Sequence, residues 1–348
     1  DSETDDHVSN ADDSITIIDT VEYSGLHVGN EYTITGTLMD QKTGKAVLDD
    51  DGNEITASKV ITAAESSGSV EIEFHFAGVS LAGKTIVAFE NLEYEGKLYA
   101  VHADLNDESQ TIYFPSVKTK AVDKNTGLNQ VKEDSNVTVV DTVTYTGLQP
   151  GKTYTMTGML MSSAGNAIVS NGRGITASTE FTPTESDGSV DVVFNFDATN
   201  GFGGRQYVFF EYLYLDGVRV AAHTDISDTN QIIYIPSIKQ RIDSENGSHS
   251  SAADQDITLI DTVRYNGVEI GRTYTVTGTL VDKETGKEIL DDAGNKITAS
   301  NEFVAEKTNG TLTLPLSSQA YALQERQLLL LRICIRGKEG GSPCRSQR

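Results

Sequence analysis

Short apolar runs and polar turns alternate along the whole chain. Thr, Val, Ile, Tyr and Phe fill the runs, and Gly, Asn and Asp separate them. Residues 70–76 alternate apolar and polar side chains, as a β-strand with one buried face does. Asp-Gly-Asn at 51–53 and Glu-Gly-Lys at 95–97 are typical of hairpin turns. No segment has the spacing of a convincing amphipathic helix, so the pattern predicts an all-β fold.

One sequence unit occurs three times. An Asp-Thr-Val-x-Tyr motif recurs with spacings of 122 and 120 residues, and Tyr-Thr-x-Thr-Gly and Ile-Thr-Ala-Ser motifs follow it in every copy. Units of this length with many short strands predict tandem immunoglobulin-like β-sandwiches. We expect a first repeat at 1–116 with an incomplete leading strand, a second at 117–237 and a partial third at 238–316. The short linkers predict a semi-rigid rod.

The last residues, 317–348, depart from the repeat and contain both cysteines, Cys334 and Cys344. Plausible codons for residues 322–332, read from the third base of the first codon, give F-A-G-K-T-I-V-V-V-E. This shifted sequence nearly matches residues 81–90 of the first repeat. We therefore expect an out-of-frame tail, in which the cysteines have no redox meaning. The alternative is a basic amphipathic tail with a run of leucines.

Composition narrows the class of protein. The formal net charge of -24 argues against nucleic acid or an anionic membrane surface as a partner, because both are negative. No run of about 18 apolar residues is present, so we expect no membrane insertion. The first 333 residues contain no cysteine. If the protein is exported, it either needs no covalent crosslink or uses a crosslink other than a disulfide.

Two glutamates stand out because they interrupt apolar strands. Glu90 shares a strand face with Ile86 and Leu92, and Glu211 holds the same place in the second repeat. Burial disfavours the charged form of a carboxyl group, so it should raise the pKa of each. The other interpretation is an edge-strand glutamate facing solvent. Two further pairs recur with a spacing of eight residues, which are His102 with Gln110 and His223 with Gln231.

The order DTVxY, VAFE or VFFE, HADLND or HTDISD, and QTIYFP or QIIYIP resembles the VaFE repeat. This family comprises immunoglobulin-like ester-bond domains in the stalks of surface-anchored adhesins of Gram-positive bacteria. The resemblance covers nearly all of the first two repeats and the front of the third. It implies that a threonine bonds covalently to a glutamine, and it assigns the pairs Thr20–Gln110 and Thr142–Gln231.

The resemblance also implies the supporting chemistry. His102 and His223 would move protons, while protonated Glu90 and Glu211 would polarise the amide and assist the departure of ammonia. A further acid maps to Asp40. Ser162 stands at that position in the second repeat, so its reaction could be slower or incomplete. The third repeat has Thr262 and Asp282 but lacks the late Glu, His and Gln, so it should form no bond of its own.

Strand parity bears on the assignment of Thr20. Strict alternation places Thr20 on the face opposite Ile17, Val21 and Tyr23. Bringing its hydroxyl inward would therefore require a β-bulge or a twist near the end of the strand.

The expected function is structural. We predict an adhesin stalk stabilised by self-formed ester crosslinks, with neighbouring repeats as partners, no cofactor and no metal. The protein should not be an enzyme, because each domain reacts once. We expect an extracellular, cell-wall-anchored parent whose signal peptide, anchor and host-ligand contacts lie outside this sequence.

Two other functions remain open at this stage. The first is a sugar- or protein-binding module, for which Tyr212 and Tyr214 are candidate stacking residues. The second is an accessory region of a secreted hydrolase. The acidic residues at 49–53 also suggest a calcium-binding loop. A turn is the better interpretation, because the second repeat lacks acidic residues at the matching positions.

Overall fold

The computed structural model describes residues 1–4, 6–170, 172–199, 201–250, 256–319 and 328–337, with the backbone alone for 319 and 328–337. These residues form β-strands and three short 3-10 turns, Val79–Leu81, Glu108–Gln110 and Thr229–Gln231. The prediction of an all-β fold with tandem immunoglobulin-like repeats is confirmed. Within the described ranges, no helix is long and apolar enough to cross a membrane.

The first repeat has two antiparallel sheets. One contains β1 and β5, and the other has the order β3-β2-β6-β7, with β4 on β2 and β8 on β6. The strands are β1 (Ile15–Ser24), β2 (Glu31–Asp40), β3 (Lys45–Ala46), β4 (Thr56–Thr62), β5 (Ser67–Phe76), β6 (Thr85–Tyr94), β7 (Lys97–His102) and β8 (Thr111–Tyr113).

The second repeat has the same plan with one more strand in its smaller sheet, whose order is β15-β10-β9. The larger sheet has the order β14-β11-β16-β17, with β18 on β16, and β12 pairs with β13. The strands are β9 (Ser116–Asp123), β10 (Val137–Thr146), β11 (Tyr154–Ser162), β12 (Val169–Ser170), β13 (Arg173–Gly174), β14 (Thr176–Phe181), β15 (Gly188–Phe196), β16 (Arg205–Leu215), β17 (Val218–His223) and β18 (Ile232–Ile235).

The third repeat forms two three-stranded sheets, β19-β20-β23 and β22-β21-β24. Its strands are β19 (Ser237–Ser244), β20 (Asp256–Asn266), β21 (Thr273–Asp282), β22 (Thr298–Val304), β23 (Asn309–Gln319) and β24 (Leu328–Gly337). Pairing between β20 and β23 continues to Gln319, and β24 pairs with β21, with Cys334 opposite Thr277. Cys344 lies outside the described residues. The out-of-frame origin of the tail stays a prediction, which the nucleotide sequence would decide.

Strand alternation builds the cores. In β10, Val137, Val139 and Val143 point inward and are at most 3% exposed, while Thr138, Val140 and Thr142 face the other side. Phe194 from β15 and Phe209 from β16 meet across the sandwich with ring centroids 4.5 Å apart. Each sheet therefore turns one apolar face toward the other, as a sandwich requires.

The two junctions between repeats are built alike. Gly147 has φ +69°, and an added Cβ would lie 2.7 Å from the Phe114 carbonyl oxygen of the preceding repeat. Gly267 has φ +71°, and its Cβ would lie 2.6 Å from the Arg205 nitrogen. Only glycine combines this backbone angle with this close approach. Its counterpart in the first repeat, Gly25, has nothing within 4 Å.

A basic side chain also makes a polar contact across each junction. Lys152 Nζ lies 2.7 Å from Asp6 Oδ2 at the first junction, and Arg272 Nη2 donates to Asn129 Oδ1 over 3.4 Å at the second. Only Phe114 and Pro115 separate β8 from β9, and only Pro236 separates β18 from β19. Short connections and matching contacts give successive repeats the same kind of junction.

Candidate crosslinking site

A buried polar cluster occupies the middle of the second repeat. It brings together residues from β9, β10, β16, β17 and the turn that precedes β18, namely Thr119, Asp141, Glu211, His223 and Gln231. The exposed fraction is 5% for Thr119 and 0% for Asp141, Glu211 and Gln231. So many buried polar groups in one place must satisfy each other, because no solvent is available to them.

Strand alternation places two members of the cluster, Asp141 and Thr119, on the inner face of the smaller sheet. Asp141 follows Val137 and Val139 on the inward face of β10. On β9, Val117, Thr119 and Ala121 are buried while Lys118 and Lys120 are exposed. Thr119 pairs with Val143 in the ladder, so its hydroxyl lies diagonally across from Asp141 on the same face.

The larger sheet positions the other members. Glu211 pairs with Gly158 on one side and with His223 on the other. The glycine is needed here because the Phe194 ring fills the space where its Cβ would be. The Asp228 side chain accepts from the Asn230 N–H and so caps the turn that carries Gln231.

Hydrogen bonds connect the cluster from hydroxyl to amide. The Thr119 hydroxyl donates to Asp141 Oδ1 at 2.5 Å. Gln231 Nε2 donates to Glu211 Oε2 at 3.0 Å and to the His223 carbonyl oxygen at 3.2 Å. The His223 ring is held by Asp228, with Nε2 and Oδ2 3.3 Å apart. These bonds fix the direction of the amide nitrogen and of the threonine hydroxyl.

Asp141 and Glu211 form the electrostatic centre of the cluster. Burial raises the pKa of Glu211 well above its usual value, and hydrogen bonding and repulsion from Asp141 raise it further. Burial also raises the pKa of Asp141, while hydrogen bonds from Glu211 and Thr119 act in the opposite direction. Apart from each other, Asp141 Oδ2 and Glu211 Oε1 are buried and have no hydrogen-bond partner in the described part of the chain. One proton held between the two carboxyl groups would give both oxygens a partner.

The first repeat holds the same cluster without the threonine. Burial raises the pKa of Glu90 to about 8, with repulsion and hydrogen bonding from Asp19 adding to the effect. Burial raises the pKa of Asp19 too, although Glu90 and Gln110 hydrogen-bond to it. His102 Nδ1 lies 3.2 Å from Glu90 Oε2, and its Nε2 lies 3.0 Å from Asp107 Oδ2.

The third repeat keeps one member of the cluster among its described side chains. Asp261 is fully buried, both of its carboxylate oxygens lack hydrogen-bond partners among the described residues, and desolvation raises its pKa to about 6. Gln240 pairs with Val263 as Thr119 pairs with Val143, so a glutamine occupies the threonine position.

Comparison with known families explains why this cluster recurs. The family model described as "T-Q ester bond containing domain" matches residues 1–114, 115–235 and 236–331. The chain belongs to the T-Q ester bond domain family. No curated protein matches it.

Solved structures give only distant likenesses. A bacterial adhesin from Mobiluncus mulieris containing intramolecular disulfide, isopeptide and ester bond cross-links is 15% identical, over 57% of this chain and 76% of that one, with a TM-score of 0.31. A putative beta-galactosidase from Bacteroides fragilis is 9% identical, over 63% of this chain and 33% of that one, with a TM-score of 0.25. Neither overlap is close enough to assign a function to this chain.

Five of the residues predicted from the sequence lie in the clusters of these T-Q domains, and Gln110 contacts Asp19 at the edge of the first. The predicted threonines do not lie there. Thr20 is exposed, and the Thr142 hydroxyl donates to Asp191 Oδ1 on the outer face, 2.8 Å away. The ladders of β1 with β5 and of β10 with β15 are regular at both positions, without the bulge needed to turn these side chains inward. The cluster residues that were predicted are Glu90, His102, Glu211, His223 and Gln231.

Asp40 is also outside the cluster of its T-Q domain. Its Oδ1 accepts hydrogen bonds from the Thr43 backbone nitrogen and hydroxyl, at 2.8 and 2.9 Å, and so closes the turn after β2. Ser162 has the same role in the second repeat, where its hydroxyl accepts from the Asn166 nitrogen at 3.1 Å. The second acid beside each glutamate is Asp19 or Asp141, the residue directly before the predicted threonine.

Sequence reasoning therefore missed Thr119, Asp19 and Asp141. The parity rule that placed Thr20 outward also places Asp19 inward, so the signal was present. For Thr119, the alternation with Lys118 and Lys120 marked a buried threonine in the strand that opens the second T-Q domain.

The acidic run at 49–53 forms a turn. Asp49 Oδ1 accepts from the backbone nitrogens of Asp51 and Asn53, and Asp291 repeats this in the third T-Q domain. These hydrogen bonds hold the pKa of Asp49 below its usual value, and the bond from the Asn53 nitrogen contributes most.

Proposed function

We propose that the second T-Q domain joins Thr119 to Gln231 through an ester bond that it forms itself. The observation that carries this proposal is the buried line of contacts from the Thr119 hydroxyl through Asp141 and Glu211 to the Gln231 amide. The pairs predicted from the sequence, Thr20–Gln110 and Thr142–Gln231, are replaced because both of those threonines face away from the glutamines.

The chemistry follows from the protonation states of the two acids. Ionised Asp141 accepts the Thr119 proton, which makes the hydroxyl oxygen nucleophilic. That oxygen attacks the side-chain carbonyl carbon of Gln231, and the carbon–nitrogen bond breaks. Protonated Glu211, already hydrogen-bonded to the amide nitrogen, gives its proton to the leaving ammonia. Asp141 returns a proton to Glu211, so the net change is loss of one ammonia.

His223 supports this reaction from the side. Its carbonyl oxygen orients the amide nitrogen, and Asp228 holds its ring. The ring Nδ1 is buried, and no described residue forms a hydrogen bond with it. It can therefore stabilise charge that develops on the amide. The domain reacts once and is not regenerated. The reaction therefore has no turnover, and its product is a structural crosslink.

The bond would give the chain the properties of a stalk. Thr119 lies three residues after the start of β9 at Ser116, and Gln231 lies directly before β18. Pulling force that enters at β9 would cross the ester and leave through β18, so the sandwich would carry little load. We infer that the chain is a spacer of a surface adhesin, outside the cell and anchored in a Gram-positive cell wall.

Intact mass under denaturing conditions tests the ester directly. The 348-residue chain should be lighter than its sequence by one ammonia, and Thr119→Val should restore the full mass. Thr142→Val is the matched control, because it removes a threonine from the neighbouring strand, and it should leave the deficit unchanged. A deficit that disappears with Thr142→Val, or no deficit in the parent chain, would contradict the assignment.

The binding-module alternative lacks a comparable observation. Tyr212 and Tyr214, the candidate stacking residues, are half-buried on β16. A full mass in the experiment above would bring that alternative forward.

A further inference from the structure

A short strip of the second T-Q domain, residues 128–131, lies between the two strands that the proposed ester would connect. It follows β9, and the nitrogen of Asp123 at the end of β9 donates to the carbonyl oxygen of its first residue over 2.8 Å. The strip also pairs in parallel with β18. The Tyr234 nitrogen donates to the Asn129 carbonyl oxygen and the Val131 nitrogen donates to the Tyr234 carbonyl oxygen, both over 2.8 Å. The position of the strip therefore depends on β9 and on β18 together.

The side chains of the same strip contact the third T-Q domain. Gln130 Nε2 donates to the Tyr274 hydroxyl oxygen over 2.6 Å, and Arg272 Nη2 donates to Asn129 Oδ1 over 3.4 Å. Both partners are held within their own domain. The Arg272 Nε lies 2.7 Å from Glu269 Oε2, and the buried Tyr274 hydroxyl also accepts from the Glu269 nitrogen over 2.9 Å. The position of the strip therefore decides whether these interdomain bonds form.

The first junction uses an equivalent strip, residues 6–8. This strip accepts a hydrogen bond from the Tyr113 nitrogen in β8 over 2.8 Å, and its Asp6 carboxylate lies 2.7 Å from Lys152 Nζ of the second domain. Lys152 and Arg272 both follow the glycine loop of their domain and stand just before its next long strand. A strip paired with the last strand is thus a recurring docking surface for the domain that follows.

The two supports of the strip 128–131 belong to opposite sheets of the sandwich. β9 lies in the smaller sheet and β18 pairs within the larger one. Facing sheets are held together by side-chain packing, without backbone hydrogen bonds between them. The two supports can therefore shift relative to each other while they are joined only by packing. An ester between Thr119 and Gln231 would tie them covalently, because Thr119 lies in β9 and Gln231 lies directly before β18.

We propose that the strip 128–131 is an interdomain docking surface whose position is fixed by the Thr119–Gln231 ester, so that crosslinking of the second T-Q domain also stiffens its junction with the third. The inference rests on the ester chemistry proposed above. The partner that fits the strip is a following T-Q domain with a basic residue and a buried tyrosine where Arg272 and Tyr274 stand. Coupling between two sites changes an equilibrium by about 5–150-fold. Loss of the ester should therefore raise the fraction of chains with a broken Gln130–Tyr274 bond by about 5-fold or more.

Distance distributions across the second junction test this in the full chain. Spin labels at the exposed, equivalent positions Thr176 and Thr298 are read by double electron–electron resonance, in a chain whose cysteines are replaced by serine. The distribution should be narrow in the parent chain and in Thr142→Val, and broader in Thr119→Val. Gln130→Met keeps the ester but removes the bond to the third domain, so it should broaden the parent distribution and add little to that of Thr119→Val. Non-additive effects of this kind are the signature of coupled sites.

The proposal is overturned by equal widths in the parent chain and Thr119→Val, by additive effects of Thr119→Val and Gln130→Met, or by equal broadening across both junctions. The last result would indicate a general loosening, because the strip 6–8 is held by the first domain. Intact mass of the same samples separates the two proposals. An ammonia deficit with unchanged widths would reject the stiffening alone, whereas no deficit would reject the ester as well.

A slowly reacting chain gives the same comparison if Thr119→Val does not fold. Glu211→Gln keeps Thr119 and Gln231 but lacks the proton donor, so the distance distribution can be recorded while ammonia is lost. The distribution should narrow in step with the loss of ammonia. A width that stays constant while the ester forms would reject the stiffening.

Discussion

The first and second repeats hold nearly the same acids, histidine and glutamine, but differ by one strand. With β9 present, Asp141, Glu211 and Gln231 are fully buried, and the His223 side chain is 16% exposed. In the first repeat, the His102 side chain is 48% exposed. In the second repeat, the strand that carries the proposed nucleophile, Thr119, also covers these acids.

The largest expected effect is on the stability of the second repeat. Thr119→Val removes the crosslink between residues 119 and 231, and loops of this size contribute about 4–5 kcal/mol when closed covalently. We expect a much lower urea midpoint for the second repeat, followed by the fluorescence of its tyrosines or by hydrogen exchange of β16. Thr142→Val, on the exposed face, should change stability by about 0.5 kcal/mol or less. Equal effects from the two variants would contradict the crosslink.

Glu211→Gln should separate folding from chemistry. The amide keeps the shape of the side chain but cannot give a proton to the departing ammonia, so ester formation should slow by about 10²–10⁴-fold. The measurement is the ammonia deficit as a function of time after refolding. Glu90→Gln is the matched control in the first repeat and should leave this rate unchanged. An unchanged rate in Glu211→Gln would remove Glu211 from the proposed mechanism.

The raised pKa of Glu90 predicts a pH dependence in the first repeat. Folded Glu90 holds its proton up to about pH 8, whereas the unfolded chain releases it near the ordinary glutamate pKa of 4.5. The folded state thus binds more protons in this window, and its stability falls as pH rises from about 4.5 to about 8. Glu90→Gln should remove this part of the slope. Carbon-detected titration of the Glu90 carboxyl should show a midpoint near 8, and a midpoint near 4.5 would contradict the buried pair.

The smallest expected effect concerns the glycine loop at the junction between the first two repeats. Gly147→Ala places a Cβ 2.7 Å from the Phe114 carbonyl in addition to straining a left-handed backbone angle. Gly25→Ala strains the backbone alone, at about 1–2 kcal/mol, because nothing lies within 4 Å. The Gly147 variant should therefore lose more stability and loosen the first junction, seen as a broader distance distribution between spin labels on the two repeats. Equal losses would show that the junction yields easily.

Much of the fold was predictable because short-range signals agree in this chain. Alternating side chains, hairpin turns and the threefold repeat all indicate β-sandwiches, and the apolar surroundings of Glu90 and Glu211 indicated their burial. The assignment of the threonine needed information of another kind. In the proposed crosslink, Thr119 reaches Gln231 only after β9 has paired with β10 and the two sheets have closed, and no local spacing encodes that approach.

The outward placement of Thr20 and Thr142 has a simple physical origin. The Asp-Thr-Val motif recurs in all three repeats, but recurrence does not tell which of two adjacent residues points inward. Alternation does, and it selects Asp19, Asp141 and Asp261, which are at most 7% exposed. The third repeat illustrates the consequence, because Asp261 is buried there although Gln240 stands at the threonine position.

The matching junctions have a consequence for how such chains change over generations. Each junction is formed by a glycine loop of one repeat, Gly147-Leu148 or Gly267-Val268, and by the glycine turn and last strand of its predecessor. The second repeat therefore carries both halves of the contact. Unequal recombination between copies can therefore add or delete a whole unit and still leave every boundary compatible. The length of the protein becomes a heritable variable that can be adjusted in steps of one repeat, without new mutations at any interface.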